Sequence, residues 1–188
     1  MNVRLLMTLT VLLCTTAAPA WAGAITILGD SKAAHCSRAA LFGRADDTSL
    51  STCDVALTHE TLDQFRRAST FINRGIIHMR RRDWDRAHSD FDSALQRKPE
   101  MGEGWVNRGA LLIGTRRFAE GLADTNKGLE LGLDEPEKAY YNRAIAHEGL
   151  GDLTSAYYDY QQALALNPEW ELPRKELTRF TVTRRPAR

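Results

Sequence analysis

Three stretches of this chain repeat one pattern: FINRGIIHMR from Phe71, WVNRGALLIG from Trp105 and YYNRAIAHEG from Tyr140. Their starts lie 34 and 35 residues apart. A second pattern follows each at a constant distance: FDSALQRKP at 91–99, TNKGLELGL at 125–133 and YQQALALNP at 160–168. A fixed period of this size constrains the fold more than any other feature. Each unit is one supersecondary element that cannot bury its apolar face alone, so successive units must stack.

Each unit reads as two helices. In unit one the first spans about Ser69 to Arg80 and the second about Trp84 to Gln96. Gly75, Ala87 and Ala94 are small residues where the two helices must approach closely. Phe71, Trp84, Phe91 and Leu95 recur at helical spacing and fill the space between. Pro99 stops the second helix, because its ring cannot continue the hydrogen-bond ladder. Unit three repeats the arrangement with Tyr140, Ala144, Leu153, Ala156, Tyr160, Ala163 and Pro168, and Gly151-Asp152 supplies its turn. In unit two, Gly121 and Gly128 replace both alanines and Leu133 replaces the proline. These glycines predict a second helix softened by roughly 1 kcal/mol each relative to alanine.

The spacing aromatic-x3-small-x11-Ala-x6-Ala-x4-Pro resembles the tetratricopeptide repeat family. The resemblance implies an all-α fold, a right-handed superhelical array of helix-turn-helix repeats closed by a capping helix. It divides the chain into three repeats over 68–168 (68–101, 102–136 and 137–170), preceded by a degenerate repeat at 23–67. A capping helix and basic tail follow at 171–188. In the degenerate repeat, CDVAL at 53–57 echoes FDSAL at 91–95, which places Cys36 on its first helix and Cys53 on its second. Pro173 opens the last helix, with Leu177 and Phe180 on one face and Trp170 packed nearby.

The first 22 residues differ in kind. A positive start through Arg4, an apolar run from Leu5 to Leu13 and the small-x-small sequence Ala20-Trp21-Ala22 form a secretory signal pattern cleaved before Gly23. The run is too short for a membrane-spanning helix, so no membrane contact is expected beyond the signal itself. The formal charge of +1 falls to zero when Arg4 leaves with the signal. A neutral exported chain is no candidate for nucleic-acid binding. Export to an oxidising compartment, a periplasm or the exterior, leaves Cys36 and Cys53 as a disulfide pair.

The repeated Asn-Arg carries two separate expectations. Arg74, Arg108 and Arg143 lie 16 residues before Asp90, Asp124 and Asp159. That constant offset predicts structural ion pairs between neighbouring helices. The resemblance puts Asn73, Asn107 and Asn142 on the concave groove with Ile72, Ile76, Met79, Val106, Ala110, Ile113, Tyr141, Ile145 and Glu148. An amide side chain offers two donors and an acceptor, which suits an extended peptide backbone. Bonding of each asparagine to its own helix or turn is the alternative. Lys138 falls where some family members clamp a C-terminal carboxylate. Ile72 and Ile76 occupy positions where that clamp wants Lys and Asn, so C-terminal capture is not expected.

No catalytic constellation emerges. His78 and His147 occupy equivalent repeat positions, and His59-Glu60 lacks the spacing of a zinc-binding helix. Glu148 and His147 are adjacent on a helix and diverge by about 100°. The sequence therefore predicts no cofactor, no metal and no small-molecule substrate. It predicts a non-catalytic scaffold or adaptor that binds an as yet unidentified protein or peptide segment. A self-assembling envelope protein, stacking through its ends, is the second reading.

Overall fold

A computed structural model describes residues 5–9, 18–20 and 23–184. The positive start, the latter part of the apolar run, Trp21-Ala22 and the last four residues of the tail lie outside the described residues. Among the described residues eight helices form four antiparallel pairs and a ninth follows them. They are α1 (Lys32–Leu41), α2 (Asp47–His59), α3 (Gln64–Arg80), α4 (Trp84–Arg97), α5 (Gly102–Gly114), α6 (Phe118–Leu131), α7 (Pro136–Gly149), α8 (Leu153–Leu166) and α9 (Glu171–Leu177). Helix α3 starts five residues earlier than the repeat pattern predicts, where the Asp63 carboxylate accepts the Arg66 N–H at 2.7 Å and caps it. Ser31, Asp46 and Asp152 cap α1, α2 and α8 in the same way.

One turn geometry closes the helical pair of each repeat. Asp83 N–H reaches His78 O, Arg117 N–H reaches Leu112 O and Asp152 N–H reaches His147 O, at 2.8–3.0 Å. The residue before each donor has positive φ: 60° at Arg82, 67° at Arg116 and 83° at Gly151. Glycine adopts this conformation without steric cost, whereas the two arginines hold it under strain.

Small residues set the helix spacing. A Cβ on Gly75 would come within 2.6 Å of the Phe91 ring. In unit two the approach is backbone to backbone: a Cβ on Gly121 would meet Gly109 O at 2.9 Å, and one on Gly128 would meet Gly102 O at 2.8 Å. The softness expected of these glycines is thus only half of their role. They let α5 and α6 pack closer than alanines would allow.

At the front, Cys36 on α1 and Cys53 on α2 form a disulfide, with Cα atoms 4.9 Å apart. At the back, α9 covers unit three, and Trp170 stacks 5.0 Å from the Tyr141 ring. Phe180 does not extend that helix. It opens β2 (Phe180–Arg184), which pairs antiparallel with β1 (Leu5–Leu9). Phe180 still packs on the last unit, 5.7 Å from Tyr157 and 6.1 Å from Tyr160. Part of the basic tail expected after the capping helix is therefore ordered as a strand.

Candidate functional site: an asparagine ladder and the segments it holds

The three arginines behave alike. Arg74 holds both oxygens of Asp90 at 2.9 and 2.6 Å, Arg108 those of Asp124 at 2.7 and 3.0 Å, and Arg143 those of Asp159 at 2.7 and 2.8 Å. Each remaining guanidinium nitrogen reaches back across a unit boundary: to Asp54 at 2.6 Å, Asp92 at 2.7 Å and Asn126 at 3.0 Å. The aromatic residue one turn earlier lies beneath each cation, at 5.5 Å (Phe71), 4.8 Å (Trp105) and 5.1 Å (Tyr140). The block aromatic-x-Asn-Arg thus places a cation where it bonds in-plane to two helices while a ring covers its face. The link to the preceding unit has no fixed sequence spacing, which is why the repeat alone does not show it.

The asparagines do something else. Asn73 Oδ1 accepts the N–H of Ile25 at 2.9 Å, and its Nδ2 donates to the carbonyl of the same residue at 2.8 Å. Asn142 repeats the grip on Ala20: N–H to Oδ1 at 2.8 Å, and Nδ2 to carbonyl at 2.5 Å. Both side chains are fully buried. The two gripped residues are five apart, a reach of roughly 16 Å in an extended chain. Residues 18–20 therefore lie on unit three, and residues 23–28 lie toward unit one and the degenerate repeat. Asn107, between the two, donates its Nδ2 to Glu103 O of its own helix at 2.9 Å. Its Oδ1 is buried and has no hydrogen-bond partner among the described residues.

The two held segments are bonded differently. Ile25 O also accepts from Ser37 Oγ at 2.8 Å, and that hydroxyl accepts the Ile27 N–H at 3.0 Å. Ile27 is buried against Ala33, Ala34 and Ala56. At the other end, Ala20 packs on the cluster containing Ile113, Tyr141 and Ile145. Nothing in the sequence marks Ser37 or the residues around Ala20 as groove elements, because their partners are more than a hundred residues distant or lie on the degenerate repeat.

The apolar residues expected on the groove divide by contact. Ile72, Ile76, Met79 and Ala110 are buried in the cluster that Ala24 and Ile25 pack on, Ile113, Tyr141 and Ile145 in the one that Ala20 packs on, and Val106 lies in neither. Ile72 Cδ1 lies close to Gly104 on α5, so it fills the boundary between units one and two. Val106 and Ile113 press on the backbone of α6 at Gly128 and Gly121, and so pack within unit two. Lys138 pairs with Glu135 at 2.7 Å. Glu148 accepts from the Tyr160 hydroxyl at 2.6 Å and from Arg179 at 2.6 and 2.8 Å, whereas His147 faces Asp152 and Asp159. The two side chains serve different neighbours. Burial among these groups pushes the Tyr160 hydroxyl well above its usual range, with the Glu148 carboxylate adding to the shift. No group of three metal-ligating side chains occurs among the described residues, and no helix among them is long and apolar enough to cross a membrane.

Comparison with known proteins agrees with this architecture. Tetratricopeptide repeat models match residues 72–134 and 137–169, between them about half of the chain. The chain belongs to the tetratricopeptide repeat family. It is 36% identical over 88 residues to the Hsp70-Hsp90 organizing protein of Triticum aestivum, an alignment covering 47% of this chain and 15% of that protein. It is 28% identical over 121 residues to the human DnaJ homolog subfamily C member 7, covering 61% and 24%. The chain thus spans under a quarter of the length of these curated relatives. Among solved structures it is similar to MamA from Desulfovibrio magneticus RS-1 (TM-score 0.63, 21% identity, 80% of this chain and 84% of that one). It is also similar to the first repeat domain of Spaghetti (RPAP3) bound to an HSP90 peptide (TM-score 0.57, 24% identity, 61% and 90%).

Proposed function

We propose that this protein is a non-catalytic adaptor whose inner helical face binds an extended segment of another protein. The observation that carries this reading is the paired amide grip. Asn73 and Asn142 each recognise both polar groups of one backbone residue, a contact indifferent to side chain that selects extended conformation. The relatives support it: the structure of Spaghetti holds an HSP90 peptide, and the repeats here share its fold. The groove is not matched to a peptide with an acidic C-terminus, because Lys138 is already engaged by Glu135 and Ile72 is buried between units.

We further read residues 1–22 as an export signal and the mature chain as periplasmic or secreted. A mass measured on the exported protein that begins at Gly23 supports this, and an intact leader on exported protein overturns it. The adaptor reading is tested by crosslinked capture from the cells that make the protein, comparing wild type with Asn107→Ala/Asn142→Ala. A partner held by wild type and lost by a double variant with native circular dichroism supports the groove. Equal capture by both moves the interface elsewhere.

A further inference from the structure

The chain is close to neutral, with a formal charge of +1, but the fold sorts the two signs. Successive helices alternate in direction, so the turns within helical pairs share one edge of the array and the turns between pairs share the other. The first edge comprises 42–46, 81–83, 115–117 and 150–152, and carries five arginines against three aspartates. The second comprises 60–63, 98–101, 132–135 and 167–170, and carries six carboxylates against one lysine.

On the first edge the carboxylates are engaged and three of the cations are not. Asp46 and Asp152 accept the Ser49 and Ser155 N–H groups at 2.7 and 3.0 Å, and Asp83 pairs with Arg86 at 3.2 Å. Arg81 is held by Asp47 and Arg117 by Glu120. The exposed side chains of Arg44, Arg82 and Arg116 bond none of the described residues. Two of these arginines stand at a cost. Arg82 and Arg116 have φ of 60° and 67°, whereas the equivalent places in the degenerate repeat and unit three hold Gly43 and Gly151, at 75° and 83°. Glycine fits this geometry without penalty, so the turn itself gives no reason for arginine. Backbone strain that the fold does not need points to a demand from outside it. Large apolar side chains protrude at both ends of the same edge. Leu41 and Phe42 are 51% and 69% exposed near Arg44, and Leu150 is 50% exposed beside Gly151.

We propose that this edge docks the protein on an anionic phospholipid bilayer, with Arg44, Arg82 and Arg116 on lipid phosphates and Leu41, Phe42 and Leu150 seated among the headgroups. A guanidinium fork matches phosphate oxygens two at a time. Charge alone would suit any acidic macromolecule. The apolar side chains gain most from a layer with phosphate outside and hydrocarbon beneath. The opposite edge, dense in carboxylates, is repelled by the same surface, so the protein settles on it in one orientation. The expectation of no membrane contact beyond the leader rested on the length of one apolar run. It is silent on an edge assembled from four turns that only the array makes neighbours. Docking of this kind stands apart from the adaptor reading and does not depend on it.

The test is co-sedimentation of the full-length chain at low salt with vesicles of phosphatidylcholine alone, and of phosphatidylcholine mixed with phosphatidylglycerol in equal parts. Arg82→Gly/Arg116→Gly removes two cations and leaves each turn with the residue that suits it, so its melting temperature is expected to match or exceed that of wild type. Each cation near an anionic surface contributes about fivefold to partitioning. The double variant is therefore expected to need about 25-fold more mixed lipid for half binding, and Phe42→Ser several-fold more. Added salt should release the wild type. The leader is the same in every chain and does not distinguish them. Equal binding to neutral and anionic vesicles, or undiminished binding by the folded arginine variant, overturns the proposal. Loss in the arginine variant with none in Phe42→Ser also overturns it, and assigns the edge to a soluble acidic partner instead. None of these results bears on the crosslinked capture through Asn107 and Asn142, which decides the adaptor reading alone.

Discussion

Arg108 Nη1 lies 2.7 Å from Asp92 Oδ1, so the cation that clamps Asp124 inside unit two also ties α5 to α4 of unit one. A lysine cannot serve both carboxylates, because its ammonium is a point donor rather than a planar fork. Arg108→Lys is expected to lower stability by about 1–3 kcal/mol, since Asp124 is left buried with a poorer partner. Asp92→Asn is expected to cost less than about 1 kcal/mol, as that carboxylate is half exposed. Urea denaturation of the two variants reads the difference. Equal losses would mean that the inter-unit bond matters as much as the intra-unit clamp.

Gly128→Ala separates propensity from packing. Helix propensity alone predicts a gain of about 1 kcal/mol. The structure predicts the reverse, because the new methyl would stand 2.4 Å from Val106 Cγ2 and 2.8 Å from Gly102 O. A net loss of about 1–3 kcal/mol is expected from overpacking, and a raised melting temperature would refute the close approach of α5 and α6.

The disulfide joins cysteines 17 positions apart, one on each helix of the terminal repeat. Loop-closure entropy for a ring of this size amounts to about 3 kcal/mol. Cys36→Ser/Cys53→Ser is expected to lose about that much, with amide exchange accelerating first in α1 and α2. Non-reducing peptide mapping should link the two cysteines. Free thiols in protein made under oxidising conditions would contradict the pairing.

His78 gives the fold an acid-sensitive point. Burial holds its pKa below 6.5, although Asp90 and Asp83 pull it up and Arg74 and Arg86 push it further down. In the unfolded chain the ring takes up its proton near 6.5, while in the fold it does so only at lower pH. The unfolded state therefore binds more protons in that interval, and stability falls as pH drops below 6.5. His78→Gln should flatten that decline, with melting temperatures at pH 7 and pH 5 lying closer than in wild type by about 2–4 °C. An identical pH dependence would exclude His78 as its source.

The repeats were legible because their signals are local. Aromatic, small and proline positions recur within one unit, and the offset from Arg74 to Asp90 follows from helical-hairpin geometry alone. Cys36 and Cys53 could be placed because the degenerate repeat still carries an Ala-Leu echo at Ala56-Leu57. The strand held by Asn73 and Asn142 was not legible. Its residues carry no repeat signal and are recognised through backbone atoms that no sequence pattern advertises. The tight α5–α6 contact was hidden for a related reason: a glycine looks the same whether it weakens a helix or admits a neighbour.

The asparagine contacts also set an order of events during synthesis. Ala20 precedes Asn142 by 122 residues. At roughly 5–20 residues per second, on the order of 6–24 s pass between the making of Ala20 and the making of the side chain that grips it. Ile25 waits for Asn73 across only 48 residues. The array thus works as a clock: its front is fastened while its last repeat is still being made.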